Sequence, residues 1–282
     1  MSDPSLRVDE EQLRNTKILK GIAIVVILGG IAAAAVSFSI RTTPSANPSP
    51  KVSTNWTGYV TTNQKGVIAA SATWTVPSAN CQTDSHVGVW AGLGGASKAP
   101  AVDAKTIEQA GTVVTCPHGQ IQAIAFGEHY PQSAFAIPSI PVKPGDRMIT
   151  AVSQDASGVH TLLINATTQA VWKDTVASNG MRFTSGECIV EASSPKKDEI
   201  VGHFAVRFSS CGIRFSGGPL INIGDIDSQC TAVVARHVEA NGRLTSLSCK
   251  GTFVVEVAKN LPDTPLPPML PAIPSLGQAT SS

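Results

Sequence analysis

The sequence predicts an all-β fold, a two-sheet antiparallel β-sandwich, behind one transmembrane helix. Three observations carry that reading. Short runs rich in Val, Ile, Thr and aromatic residues recur between residues 52 and 260, divided by Gly, Pro, Asn and Asp clusters. No amphipathic helical periodicity and no internal repeat interrupts them. Ahead of them, residues 21–40 read GIAIVVILGGIAAAAVSFSI without a charge.

That apolar run comes first. Twenty helical residues cover about 30 Å, the thickness of a bilayer's hydrocarbon core. Arg14, Lys17 and Lys20 precede it, and only Arg41 and Lys51 follow closely. The bias keeps residues 1–20 in the cytoplasm and exports everything after Arg41, as a signal-anchor does. A cleavable signal peptide, with small residues at 32–35, is the alternative and would leave a secreted domain. Residues 41–51 are a Pro/Ser-rich linker, extended and solvated. Residues 52–260 form the folded domain. Residues 261–282 carry Pro262, Pro265, Pro267, Pro268, Pro271 and Pro274, which bar helix and central strand and leave an irregular tail.

Within the domain the expected strands are 67–76, 87–93, 106–114, 121–130, 148–152, 161–164, 188–190, 201–208, 231–238 and 252–257. Pro144-Gly145-Asp146 and Ser157-Gly158 mark turns, and Asn241-Gly242 suggests a hairpin. Six cysteines follow the apolar run, none in a C-x-x-C pair. They imply up to three disulfides in an oxidising compartment, with all 15 connectivities open. The formal net charge of +1 gives no basic field for nucleic acid. The six histidines show no zinc spacing, so no metal or cofactor is expected, and no G-x-S-x-G word supports a serine nucleophile. The sequence leaves the oligomeric state open.

Strand alternation then places the polar residues. Glu187, Ile189 and Glu191 share one face, with Cys188 and Val190 on the other. Ile124, Phe126, Glu128 and Tyr130 share a face. Ile107, Gln109 and Gly111 share a face, and Glu108 points oppositely. Three strands thus carry a Glu or Gln beside apolar residues.

The words themselves are more specific. Asn55-Trp56-Thr57-Gly58, Trp74-Thr75-Val76-Pro77, Trp90-Ala91-Gly92-Leu93-Gly94, Gln109-Ala110-Gly111, Glu128-His129-Tyr130-Pro131, Gly145-Asp146 and Glu187-Cys188-Ile189-Val190-Glu191 occur in that order. The series resembles the glutamic endopeptidases, or eqolisins: N-W-x-G, W-x-V-P, W-V-G-[IL]-x-G, Q-x-G, W-Y-E-W-Y-P, G-D and A-E-x-I-[IV]-E. The resemblance runs from Asn55 to about Phe208. It implies a lectin–glucanase (concanavalin A-like) sandwich of two seven-stranded sheets, with a polypeptide substrate in the concave face of one.

The same resemblance implies a catalytic pair, Gln109 and Glu191, with Trp90, Glu128, Tyr130 and Glu187 about the substrate. The residue types suit peptide hydrolysis. A carboxylate can take the proton of the attacking water and return it to the leaving nitrogen. A glutamine can hold that water and donate to the oxyanion, worth on the order of 3 kcal/mol in the transition state. An apolar cleft or a neighbouring carboxylate would raise the Glu191 pKa, and activity is expected in acid.

The chain departs from the pattern at Gly94 and Val113, where the family has Asp, and in the thinned aromatic word around Glu128. Two other functions are therefore weighed: a surface binding module that has lost catalysis, and a glycosidase using Glu187 and Glu191. The latter two stand roughly 13 Å apart along a strand and would have to converge. The sequons at Asn55 and Asn165 matter only in a eukaryotic secretory path.

Overall fold

The computed structural model describes residues 51–53, 55–79, 81, 86–96, 106–192, 204–226, 230–235, 242–244 and 249–257. All lie in the second of two compact units, Met1–Pro44 and Ser45–Ser282. The expected membrane helix, nearly all of the linker and the Pro-rich tail fall outside the described residues. Among the described residues no helix is long and apolar enough to cross a membrane.

Two sheets make the fold. The front sheet runs β1 (Lys51–Ser53), β14 (Cys230–Ala235), β2 (Trp56–Thr62), β11 (Ser185–Ala192), β4 (His86–Gly94), β5 (Ile107–Thr115), β6 (Gln122–Tyr130), β7 (Phe135–Pro141). The back sheet runs β10 (Ala170–Val176), β9 (Gly158–Asn165), β8 (Arg147–Asp155), β3 (Val67–Thr75), β12 (Phe204–Phe215), β16 (Phe253–Val257), β15 (Gly242–Leu244), and β13 (Leu220–Asn222) pairs with β12 off that path. Every pairing is antiparallel except β1 with β14. That short parallel strand, beginning one residue before the expected domain start, makes the front sheet eight-stranded, and β13 does the same for the back sheet, where the resemblance implies seven strands in each.

Each expected strand coincides with or overlaps an observed one. β1, β2, β7, β10, β13 and β15 were not among the expected strands, and β7 and β10 share a reason. Both are edge strands: β7 carries Pro138 and Pro141, and β10 alternates half-buried with exposed residues. Edges tolerate proline and polar side chains, so their apolar signal is weak. Asn241 lies outside the described residues, and the strands on either side of it, β14 and β15, belong to different sheets. The other turn signals hold. Gly145 takes φ 88° between β7 and β8, and Asp155 Oδ1 accepts from the Ser157 amide at the β8–β9 turn.

The sheets pack through Trp74, Tyr59, Phe204, Phe208, Leu93, Met148 and Leu163, all without exposed surface beyond 1%. The six cysteines pair as Cys81–Cys116, Cys188–Cys211 and Cys230–Cys249. The second joins β11 to β12, and so one sheet to the other. Closing its 23-residue separation stabilises the fold by about 3 kcal/mol in the chain-entropy account. Asn165, half of a glycosylation sequon, is fully buried and donates to Pro141 O and Asp146 Oδ2, each at 2.8 Å. In the folded domain that sequon is structural.

Burial patterns separate the two sheets. β8, β9 and β10 alternate, with one face on the core and one in solvent. β2 and β11 are buried at nearly every position. The front sheet therefore carries apolar cover on its outer face too, where Trp90, Ile189, Phe126, Val60 and Val233 form a second cluster.

Candidate active site

The outer face of the front sheet is organised by register. One cross-strand row reads Glu187, Gly92, Gln109, Glu128 across β11, β4, β5 and β6. The next reads Ile189, Trp90, Gly111, Phe126, and the third Glu191, Gly88, Val113, Ile124. Alternation predicted these faces: Cys188 and Val190 lie in the inter-sheet core, while Ile189 lies in the outer cluster. Gly111 is required by the close approach of two strands, since a Cβ there would lie 2.7 Å from that of Trp90.

Gln109 and Glu191 stand two rows apart, yet both line one groove of about 410 Å³ with Trp90 and Glu128. Trp90 spans the gap. Its indole Nε1 donates to Glu191 Oε2 at 2.8 Å, and Asn55 Nδ2 donates to Oε1 at 2.6 Å. Trp56 stacks edge-on against Trp90, with ring centroids 5.0 Å apart. Gln109 Nε2 donates to Glu128 Oε2. Its amide oxygen is buried and has no hydrogen-bond partner among the described residues.

Burial pushes the Glu191 carboxyl up to about 7, against the pull of the indole donors Trp90 and Trp56 and with a further push from Glu128. The donors are neutral, so hydrogen bonds orient the carboxylate without the full stabilisation a cation would give. Such a carboxyl exchanges protons near neutrality, where a general base must work.

The other expected residues divide. Tyr130 is 42% exposed and lines an adjoining groove of about 790 Å³, which Glu191 also borders. Glu187 has no exposed surface and lines neither groove, so the structure does not place it against a substrate. In register it lies between Val60 of β2 and Gly92 of β4. A glycosidase pair of Glu187 and Glu191 is thereby removed. Sequence reasoning missed Asn55 as a partner of Glu191, although it opens the first family word.

Gly94 also has a physical reading. It takes φ 94°, and a Cβ there would come within 2.2 Å of the Thr106 carbonyl oxygen. The family's Asp has no room at this position. No group of three or more His, Cys, Asp or Glu arranged for a metal occurs among the described residues.

Fold and groove together define a two-sheet β-sandwich with a carboxyl and an amide facing one cleft. The profile of the peptidase A4 family matches residues 54–258. The chain belongs to that family, the glutamic-type endopeptidases. Among solved structures it is similar to scytalido-glutamic peptidase with a transition-state analogue inhibitor: TM-score 0.55, 21% identity, covering 73% of this chain and 98% of that one. It is also similar to SCP-B, an eqolisin in complex with the tripeptide Ala-Ile-His: TM-score 0.51, 19% identity, covering 73% and 98%. At these identities the likeness establishes the fold. No curated protein matches.

Proposed function

We propose that this domain hydrolyses polypeptide substrates in the groove shared by Gln109 and Glu191, with Glu191 as general base and acid. One observation carries the reading: a carboxyl raised to about 7 and a glutamine with an unpartnered amide oxygen line the same cleft. Ionised Glu191 takes a proton from the attacking water as its oxygen bonds to the scissile carbonyl carbon. Gln109, two rows and two strands from Glu191 with no hydrogen bond between them, serves the oxyanion through the second hydrogen of its Nε2, beyond the one given to Glu128. Glu191 then returns the proton to the leaving nitrogen as the C–N bond breaks, giving a carboxylic acid and an amine.

The pH dependence follows from Glu191. Below about 7 its basic form falls tenfold per pH unit. That limb favours activity near and above neutrality, in contrast to the acidic preference expected from the sequence. Residues 21–40 anchor the domain on the extracytoplasmic side of a membrane in this proposal, which rests on their length, their lack of charge and the basic residues before them.

The test incubates the full chain with a denatured protein from pH 2 to 8 and maps new termini, beside Glu191→Gln. Cleavage by the parent and a loss of at least about 100-fold in the variant is expected. Retained activity in Glu191→Gln would sink the assignment of the base. A folded parent that cuts nothing would favour the binding module.

A further inference from the structure

We infer that the groove selects a large aliphatic or aromatic side chain on one fixed flank of the scissile bond, through Val113, Ile124 and Phe126. The inference rests on the peptidase reading above and deepens it.

Glu191 borders two grooves of different chemistry. The larger is mixed, Lys51, Ser53 and Asn55 alternating with Val52, Trp56 and Val60. The smaller, which also holds Gln109, is walled beyond the polar pair by Val113, Ile124, Phe126 and Ala136. A substrate whose scissile carbonyl sits between Glu191 and Gln109 thus meets an apolar wall on one flank and a mixed one on the other.

Register explains why the wall is continuous. Val113 and Ile124 are cross-strand partners in the row that begins with Glu191 and Gly88. Gly88 carries no side chain, and the Trp90 ring lies over it, its Cδ1 3.6 Å from where a Cβ would stand, so the row from Glu191 to Val113 is roofed by an aromatic edge. Ile124 is 41% exposed, an aliphatic side chain left facing the groove rather than packed in the core. Phe126, partner of Gly111, supplies the floor.

Val113 occupies the position at which the family pattern carries Asp, so this wall is a property of this chain. A carboxylate there would need water or a cation, and water bound to it would occupy the space an apolar side chain takes. The volume, about 410 Å³, lies within the range of about 300–1,000 Å³ typical of small-ligand sites and accommodates one large side chain. In an apolar pocket each methylene changes kcat/KM by roughly 10-fold or more. Truncation from Leu to Ala on this flank therefore costs at least 100-fold.

The experiment digests a peptide library with the full chain and maps residue frequencies on both sides of each cut, beside Val113→Asp and Ile124→Asp. The expected result is enrichment of Leu, Ile, Met, Phe and Tyr at one fixed position adjoining the cut, reduced at least tenfold in both variants. Ile124 lies at the groove surface, so its variant tests the wall even where Val113→Asp does not fold. Cleavage without positional apolar enrichment overturns the subsite and leaves the peptidase intact. Enrichment unchanged in the folded variants overturns the assignment to these residues. No cleavage by the parent overturns both readings.

Discussion

Two acidic clusters stand back to back on β5 and β6, and they solve the burial of carboxylates differently. On the outer face Gln109 pairs with Glu128, and Glu191 is held by Asn55 and Trp90. On the inner face Glu108 and His129, neighbours in register, meet at 2.5 Å, and His129 reaches Asp174 of β10 at 3.0 Å. Glu108 is 1% exposed. Its burial raises the pKa while His129 opposes the rise, and both carboxylates lift His129 above its ordinary value against the pull of its own burial. The inner cluster places a cation beside a carboxylate and links the two sheets. The outer one offers only neutral donors and leaves Glu191 able to exchange its proton near neutrality. A buried carboxylate paired with a cation serves structure; one oriented by neutral donors in a groove is available for chemistry.

Removing the inner cation should break the comparison most severely. His129→Ala leaves Glu108 buried beside Asp174 with its cation gone, and destabilises the domain by about 3 kcal/mol in denaturant titration. The double variant Glu108→Leu/His129→Leu should recover most of that loss, since apolar residues of similar volume replace buried pairs at little cost. A double variant no better than the single one would show that the cluster does more than balance charge.

A smaller effect sharpens the outer half. Trp90→Phe removes the hydrogen bond to Glu191 Oε2 that lowers its pKa. The lower limb of the kcat profile should move to higher pH by roughly one unit, equivalent to about 1.4 kcal/mol. An unmoved limb would assign the pH dependence to another group.

A further effect concerns stability. Glu191, Glu108 and His129 all bind protons more tightly in the folded state than in the unfolded chain. A group with a raised folded pKa contributes stability that is full below its unfolded pKa and is lost as pH rises through the folded value. For Glu191 that window runs from about 4.5 to about 7. The Tm should fall by roughly 5–10 °C between pH 5 and 8, since such a window is worth about 3 kcal/mol and about 1 kcal/mol moves a domain of this size by roughly 2–4 °C. Glu191→Gln should flatten part of that slope.

The sequence by itself determined the class of fold, most of the central strands (β2 excepted) and the face on which the polar residues of β5, β6 and β11 stand. Those properties are local: β-branched and aromatic runs specify strands, and a period of two assigns sides without knowledge of neighbours. The motif series fixed the family and named Gln109 and Glu191 as the pair to examine. Tertiary structure decided what local pattern does not carry. The edge strands β7 and β10 form because a neighbouring strand pairs with them, not because their own residues are apolar. The three disulfide pairings depend on the two sheets meeting. Glu187 and Glu191 share a face and a motif, yet one is entombed and the other opens to two grooves. Burial depends on what lies over a residue in three dimensions, which the period of two does not carry.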